Sequence, residues 1–136
     1  MAFRTSRRVE FQHCAPAGLV FYPRYFEWTN SVVEEWFADI LAAPFAPMHL
    51  GARKGVPTAR LEARFAAPTR LGETLDFRLQ PDPPGRSSLN LAIEAEAAGE
   101  TRLVFASTLV HIDLDRGRPE PWPQPLREAL VREAAA

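Results

Sequence analysis

The sequence predicts an α+β fold in which a five-stranded antiparallel sheet wraps around one long central helix. Three observations point there. A single stretch, Pro23 to Leu41, has helical periodicity; five other stretches read as strands; and the links between strands are too short for anything but antiparallel neighbours.

Phe3 to Gln12 alternates, with Phe3, Thr5, Val9 and Phe11 on one side, and reads as the first strand. Pro16 and Gly18 then mark a tight loop. The helix follows. Pro23 suits a first turn, where its missing N–H costs nothing. Phe26, Val33, Trp36, Phe37, Ile40 and Leu41 form a broad apolar face, while Glu27, Ser31, Glu34, Glu35 and Asp39 lie elsewhere. Pro44 forbids continuation and biases Ala43 away from helical dihedrals. About 19 residues make a rod of roughly 28 Å.

Beyond a connection punctuated by Pro and Gly, from Pro44 to Pro57, the period becomes two. Ala59, Leu61, Ala63 and Phe65 alternate with Arg60, Glu62 and Arg64; Leu75, Phe77 and Leu79 alternate with Thr74, Asp76 and Arg78; Leu89, Leu91, Ile93, Ala95 and Ala97 alternate with a mainly polar set. These read as three half-buried strands, separated by breakers at Pro68 to Gly72 and Pro81 to Gly85. Gly99 turns the chain into a last strand, Thr101 to Leu114, which is apolar on both faces, as expected of a central strand or one that meets another subunit. Four prolines between Arg116 and Pro125 imply an extended surface segment, and residues 126–136 read as a short terminal helix. A ten-residue strand spans about 33 Å, so the helix fits along the sheet. One helix covers only one face, so a homodimer or homotetramer is expected.

The 136 residues suit one domain, 1–136, and 46% hydrophobic content supplies a core. The formal net charge of -1 has no basic stripe behind it, so no nucleic-acid partner is expected. Lys54 is the sole lysine, which reads mainly as composition bias. Cys14 is the sole cysteine, so no internal disulfide forms and a reducing, cytoplasmic compartment is expected. Residues 1–8 lack the apolar run of a secretory signal, and no stretch reaches the roughly 18 apolar residues that cross a bilayer. His13, His49 and His111 lie far apart with no ligand spacing, so no metal is expected.

The run Phe11-Gln12-His13-Cys14-Ala15-Pro16-Ala17-Gly18-Leu19-Val20-Phe21-Tyr22-Pro23-Arg24-Tyr25 resembles the opening of the 4-hydroxybenzoyl-CoA thioesterase family. That family reads aromatic-x-Asp-x-Asp-Pro-Ala-Gly, two aliphatics, then aromatic-Tyr-Pro-x-Tyr before a helix. The likeness continues through Gly55-Val56-Pro57, Arg70-Leu71-Gly72-Glu73-Thr74-Leu75, Gly85-Arg86-Ser87-Ser88 and Gly117-Arg118-Pro119. It implies a hotdog fold and an enzyme that hydrolyses the thioester of an acyl-CoA, with a small, medium-length or aromatic acyl group, using no metal or cofactor beyond the CoA of its substrate. It also implies that the thioester carbonyl meets the N-terminal end of the long helix, where free N–H groups and the helix dipole stabilise negative charge on oxygen. The matching donor is the amide of Tyr22.

The family's catalytic carboxylate falls on Ala15, and its earlier aspartate on His13. His13 is the candidate replacement base: residues two apart in extended chain share a side, about 6.5 to 7 Å apart, and an imidazole suits proton transfer near neutral pH. The alternative is an ordinary surface histidine. A Cys14–His13 dyad is disfavoured because adjacent residues point oppositely. Glu27, Glu34 and Glu35 offer an acid on the helix, or simply a solvated face. Arg86, Ser87 and Ser88 match the family's contacts to CoA phosphates, against the plain reading of a hairpin turn. Trp36 and Phe37 read as core first and acyl pocket second. Three functions stay open: hydrolysis, a degenerate acyl-CoA or acyl-carrier binding protein without the carboxylate, and another CoA-thioester reaction such as hydration.

Overall fold

The computed structural model describes residues 2–136. In chain order it contains β1 (Phe3–Arg8), a 3-10 turn (Phe11–His13), α1 (Arg24–Asp39), a π-helical turn (Pro47–Gly51), β2 (Lys54–Gly55), β3 (Thr58–Phe65), β4 (Thr74–Pro81), β5 (Ser88–Ala97), β6 (Glu100–Val110), β7 (Ile112–Asp113), β8 (Arg118–Pro119) and α2 (Gln124–Ala135). The main sheet is antiparallel, in the order β1-β4-β5-β6-β3, and a small sheet runs β2-β7-β8. This is the hotdog arrangement, with α1 as its core rod.

Side-chain alternation explains the sheet. Leu75, Phe77, Leu79, Leu89, Leu91, Ile93, Ala95 and Ala97 are buried while their neighbours face out. The rod lays Tyr25, Trp28, Thr29, Val32, Val33, Trp36 and Phe37 on that apolar surface, a stripe at three- and four-residue spacing. Trp36 and Phe37 are fully buried and meet edge to face, with ring centroids 5.4 Å apart. Each such side chain contributes about 1.5–3 kcal/mol by burial.

The buried stripe is rotated from the expected one. Ile40 is 40% exposed, and Phe26 only half-buried, whereas Tyr25, Trp28 and Val32 carry the core. The rod ends early: the N–H groups of Ile40 and Leu41 both go to Trp36 O, and Ala42 then enters the left-handed region at φ 54, while Leu41 is buried.

Three other boundaries differ. β1 stops at Arg8 rather than Gln12: Val9 is buried and exchanges backbone bonds with Glu73 and Gly72, and a 3-10 turn follows in which His13 N–H donates to Glu10 O while Glu10 N–H donates to the His13 side chain. Phe11 is therefore 80% exposed instead of facing the core. The last strand breaks at His111, whose backbone bonds leave the sheet for Ser87 and Glu120. β3 is the edge of the main sheet, and Leu61 and Phe65 on its apolar side stay exposed, where alternation alone reads half-buried. The terminal helix starts at Gln124, two residues before the expected start, with Pro125 in its first turn.

Between β5 and β6 the chain reverses through Ala98 (φ 52) and Gly99 (φ 74). Two successive positive φ values suit Asn-Gly, and alanine there carries a penalty of about 1–2 kcal/mol. Ala98→Asn is expected to stabilise the protein by about 1 kcal/mol, read as a higher urea midpoint at unchanged m-value; an unchanged midpoint contradicts the turn geometry.

Candidate active site

The site grows from the segment between β1 and α1. Ala15 N–H donates to Leu19 O at 2.8 Å and Gly18 N–H to Ala15 O at 2.9 Å, closing a turn that needs the positive φ of Gly18 (78°). That turn rests on the β3–β4 connection: Val20 N–H donates to Thr69 O at 2.9 Å, and Leu71 N–H to Gly18 O at 2.9 Å. The Tyr25 hydroxyl shares a 2.7 Å hydrogen bond with the Thr69 hydroxyl, and burial raises the phenol's pKa, so it stays neutral. Beneath lies Arg102, 5% exposed. It clamps the Glu73 carboxylate through two bonds of 2.8 and 2.9 Å and also donates to the carbonyls of Pro68 and Ala97. Its Nε lies 3.0 Å from Glu100 Oε1 but is not aligned as a hydrogen bond.

At the head of α1 the N–H groups of Arg24, Tyr25 and Phe26 are taken by the carbonyls of Phe21, Tyr22 and Pro23, and the Phe21 N–H by His13 O at 3.0 Å. Among the described residues, the Tyr22 N–H has no backbone partner. It therefore offers a free donor where the helix dipole is positive. Aromatic rings cluster at this end of α1: Tyr22 packs on Phe65 (5.8 Å between centroids) and Phe26 on both Phe65 (6.1 Å) and Phe105 (6.4 Å). Phe21 and Tyr22 are more than half exposed.

His13 is close to this head through its carbonyl, and its ring packs at a tilt against Trp28, with centroids 4.6 Å apart. Its Nδ1 accepts the Glu10 N–H at 2.9 Å. A backbone N–H only donates, so Nδ1 is an acceptor and the neutral ring carries its proton on Nε2. In that form Nε2 donates rather than accepts. The Cys14 thiol sits 3.6 Å from Glu10 O, a weak donor contact, and not against His13.

The helix acids are paired or lie further along the rod. Glu27 pairs with Arg24 at 2.9 Å, and Glu35 with Arg7 at 2.8 Å. Glu34 borders a crevice of about 130 Å³ shared with Phe105 and Ser107, but from Pro23 to Glu34 the rod rises roughly 16 Å. Glu27 stands in the first turn of α1, and its carboxylate is taken there by Arg24. Arg86, Ser87 and Ser88 form a turn held by Trp122, whose backbone N–H donates to Arg86 O and whose indole N–H donates to Ser88 O, both at 3.1 Å. Within one chain this turn is remote from Tyr22. Ser88 faces Val110, whereas Phe65, packed on Tyr22, faces Leu103, and the seven steps along β6 between those positions cover roughly 23 Å. His13, His49 and His111 form no common cluster among the described residues. No helix there is long and apolar enough to cross a membrane.

Periodicity missed Trp28, Tyr25, Thr69 and the Arg102–Glu73 pair. The available signals were Tyr25 and Glu73, which stand in the motif runs, and Arg102, a charge next to Leu103 where the strand turns apolar.

Solved structures share this fold. A 1,4-dihydroxy-2-naphthoyl-CoA thioesterase from Synechocystis superposes with a TM-score of 0.87 at 19% identity, covering 96% of each chain. A gentisyl-coenzyme A thioesterase gives 0.83 at 21%, covering 94% of this chain and 99% of that one. A Staphylococcus aureus protein solved in complex with CoA gives 0.90 at 12%, covering 99% and 85%. No curated protein matches the chain in sequence. Residues 9–130 match the sequence profile of the thioesterase-like superfamily, and the chain belongs to that family.

Proposed function

We propose that the protein hydrolyses the thioester of an acyl-CoA carrying a small, medium-length or aromatic acyl group. The observation that carries this reading is the unpartnered Tyr22 N–H at the positive end of a helix, where aromatic side chains cluster. The carbonyl oxygen accepts from Tyr22 N–H, water adds to the carbonyl carbon, and the C–S bond breaks to release CoA and the free acid. Two thioesterases of the same fold act on aromatic acyl-CoAs, and a third relative was solved with CoA, which supports the substrate class.

His13 handles the water proton in this reading. Nε2 accepts a proton only when the neutral ring is protonated at Nδ1, which means giving up the Glu10 N–H bond. Turnover is therefore slow beside a relative with an aspartate in place. His13→Ala is expected to lower kcat at least tenfold with KM little changed, measured with an acyl-CoA panel and a thiol reagent; unchanged hydrolysis excludes His13 as the base.

The site is shared between two copies. β3 leaves one edge unpaired, with Leu61 and Phe65 exposed beside it. Antiparallel pairing of two β3 edges sets the Thr58 end of one chain beside the Phe65 end of the other. The partner's Arg86, Ser87 and Ser88 then approach this chain's Tyr22, where they meet the CoA phosphates. A homodimer is thus the functional unit, and the CoA substrate suits a cytoplasmic location.

Ala15 and the His13 tautomer favour one other reading, an acyl-CoA binding protein without turnover. Intact CoA binding with no hydrolysis of any panel member selects it.

A further inference from the structure

The opposite end of α1 carries a second chamber, and we propose that it binds a small carboxylic acid with an apolar tail. The cavity measures about 470 Å³, within the range of ligand sites, and most of its wall is apolar, with Leu41, Met48, Leu126 and Ala129 among the lining side chains. Three polar groups reach it: Lys54, His111 and Arg132. They differ in what they have to spend on a ligand.

Lys54 is already held by Asp113 at 3.2 Å and Glu120 at 2.8 Å, so its charge is compensated. Arg132 makes no ion pair among the described residues, and its planar fork fits a carboxylate with two parallel bonds. His111, only 2% exposed, donates from Nδ1 to the Glu120 carbonyl at 3.1 Å and packs on Trp122 at 5.2 Å, so its Nε2 is an acceptor and holds no anion.

A carboxylate satisfies Arg132, accepting from the guanidinium with both oxygens. The carbonyl end of α1 carries partial negative charge, so the acid's head belongs with Arg132 and its tail with Leu41 and Met48. One uncompensated cation matches a ligand with one negative charge, and a polyphosphate such as CoA needs more.

Octanoate is the probe, and Met48 the reporter, since the chain's two methionines are Met1 and Met48. With [13C]methyl-methionine protein, octanoate is expected to shift the Met48 methyl resonance saturably. Arg132→Gln, an exposed substitution, weakens octanoate at least tenfold and leaves 1-octanol unchanged; Ala129→Phe fills the chamber and blocks both. Thioester hydrolysis in Arg132→Gln stays at the starting level, because the catalytic head lies at the other end of α1. An unshifted Met48 methyl, or equal octanoate affinity in Arg132→Gln, overturns the proposal.

Discussion

Ala15→Asp is expected to raise kcat for acyl-CoA hydrolysis by about 10²–10⁴-fold, the range that a positioned general base supplies. The backbone is ready for it. Ala15 is half-buried in a turn closed by its bonds to Leu19 and Gly18, and an aspartate adds only a carboxylate to a Cβ already present. The new charge lies beside the positive end of α1, which favours its ionised form. It accepts the water proton outright, whereas His13 must first surrender the Glu10 bond. KM is expected to change little, because the added group acts on water. A folded Ala15→Asp protein with unchanged kcat would mean that the reacting carbonyl does not sit between this turn and Tyr22.

Arg102→Met is expected to cost about 3–5 kcal/mol of stability, the effect of removing one partner from a buried pair. The lower end is the better guide, since the Glu73 side chain is 26% exposed and water compensates part of the loss. Arg102 hydrogen bonds hold the Glu73 carboxyl at about 2, below its ordinary 4.5, with the Arg70 N–H adding to the effect. A depressed carboxyl pKa contributes stability that is complete above the unfolded value. That contribution is lost as pH falls from 4.5 toward 2. The starting protein should therefore lose stability across that acid window, and Arg102→Met should show a flatter profile there. Urea titrations at several pH values read both effects. Arg102→Met with Glu73→Leu should recover part of the loss, because no buried charge is left unpaired. A single-variant loss below about 1 kcal/mol contradicts a structural role for the clamp.

How much was legible in sequence follows from what periodicity records. Alternation at Leu75–Leu79 and Leu89–Ala97 reports sheet faces directly, and Pro23 and Pro44 bracket the rod within a few residues. The face of the rod was harder, because Tyr25, Trp28 and Thr29 are amphipathic and do not register as core. β3 looked half-buried because alternation encodes two faces, not whether a helix or a second chain covers one of them. In the site, the Pro-Ala-Gly to Tyr-Pro run located Tyr22 at the head of the helix, but that its N–H lacks a backbone partner depends on which carbonyls its neighbours choose. The two-residue parity argument for His13 assumed extended chain; a 3-10 turn stands there, and its capping bond sets the tautomer. Long-range pairs such as Arg102 with Glu73 leave no periodic trace.

The most direct test is a crystal structure with an acyl-CoA analogue in which a methylene replaces the thioester sulfur, so that the carbonyl persists without hydrolysis. The carbonyl oxygen is predicted within about 2.7–3.1 Å of the Tyr22 nitrogen. A carbonyl bound elsewhere while the Tyr22 N–H stays free, or a Tyr22 N–H bonded to the protein itself, contradicts the account.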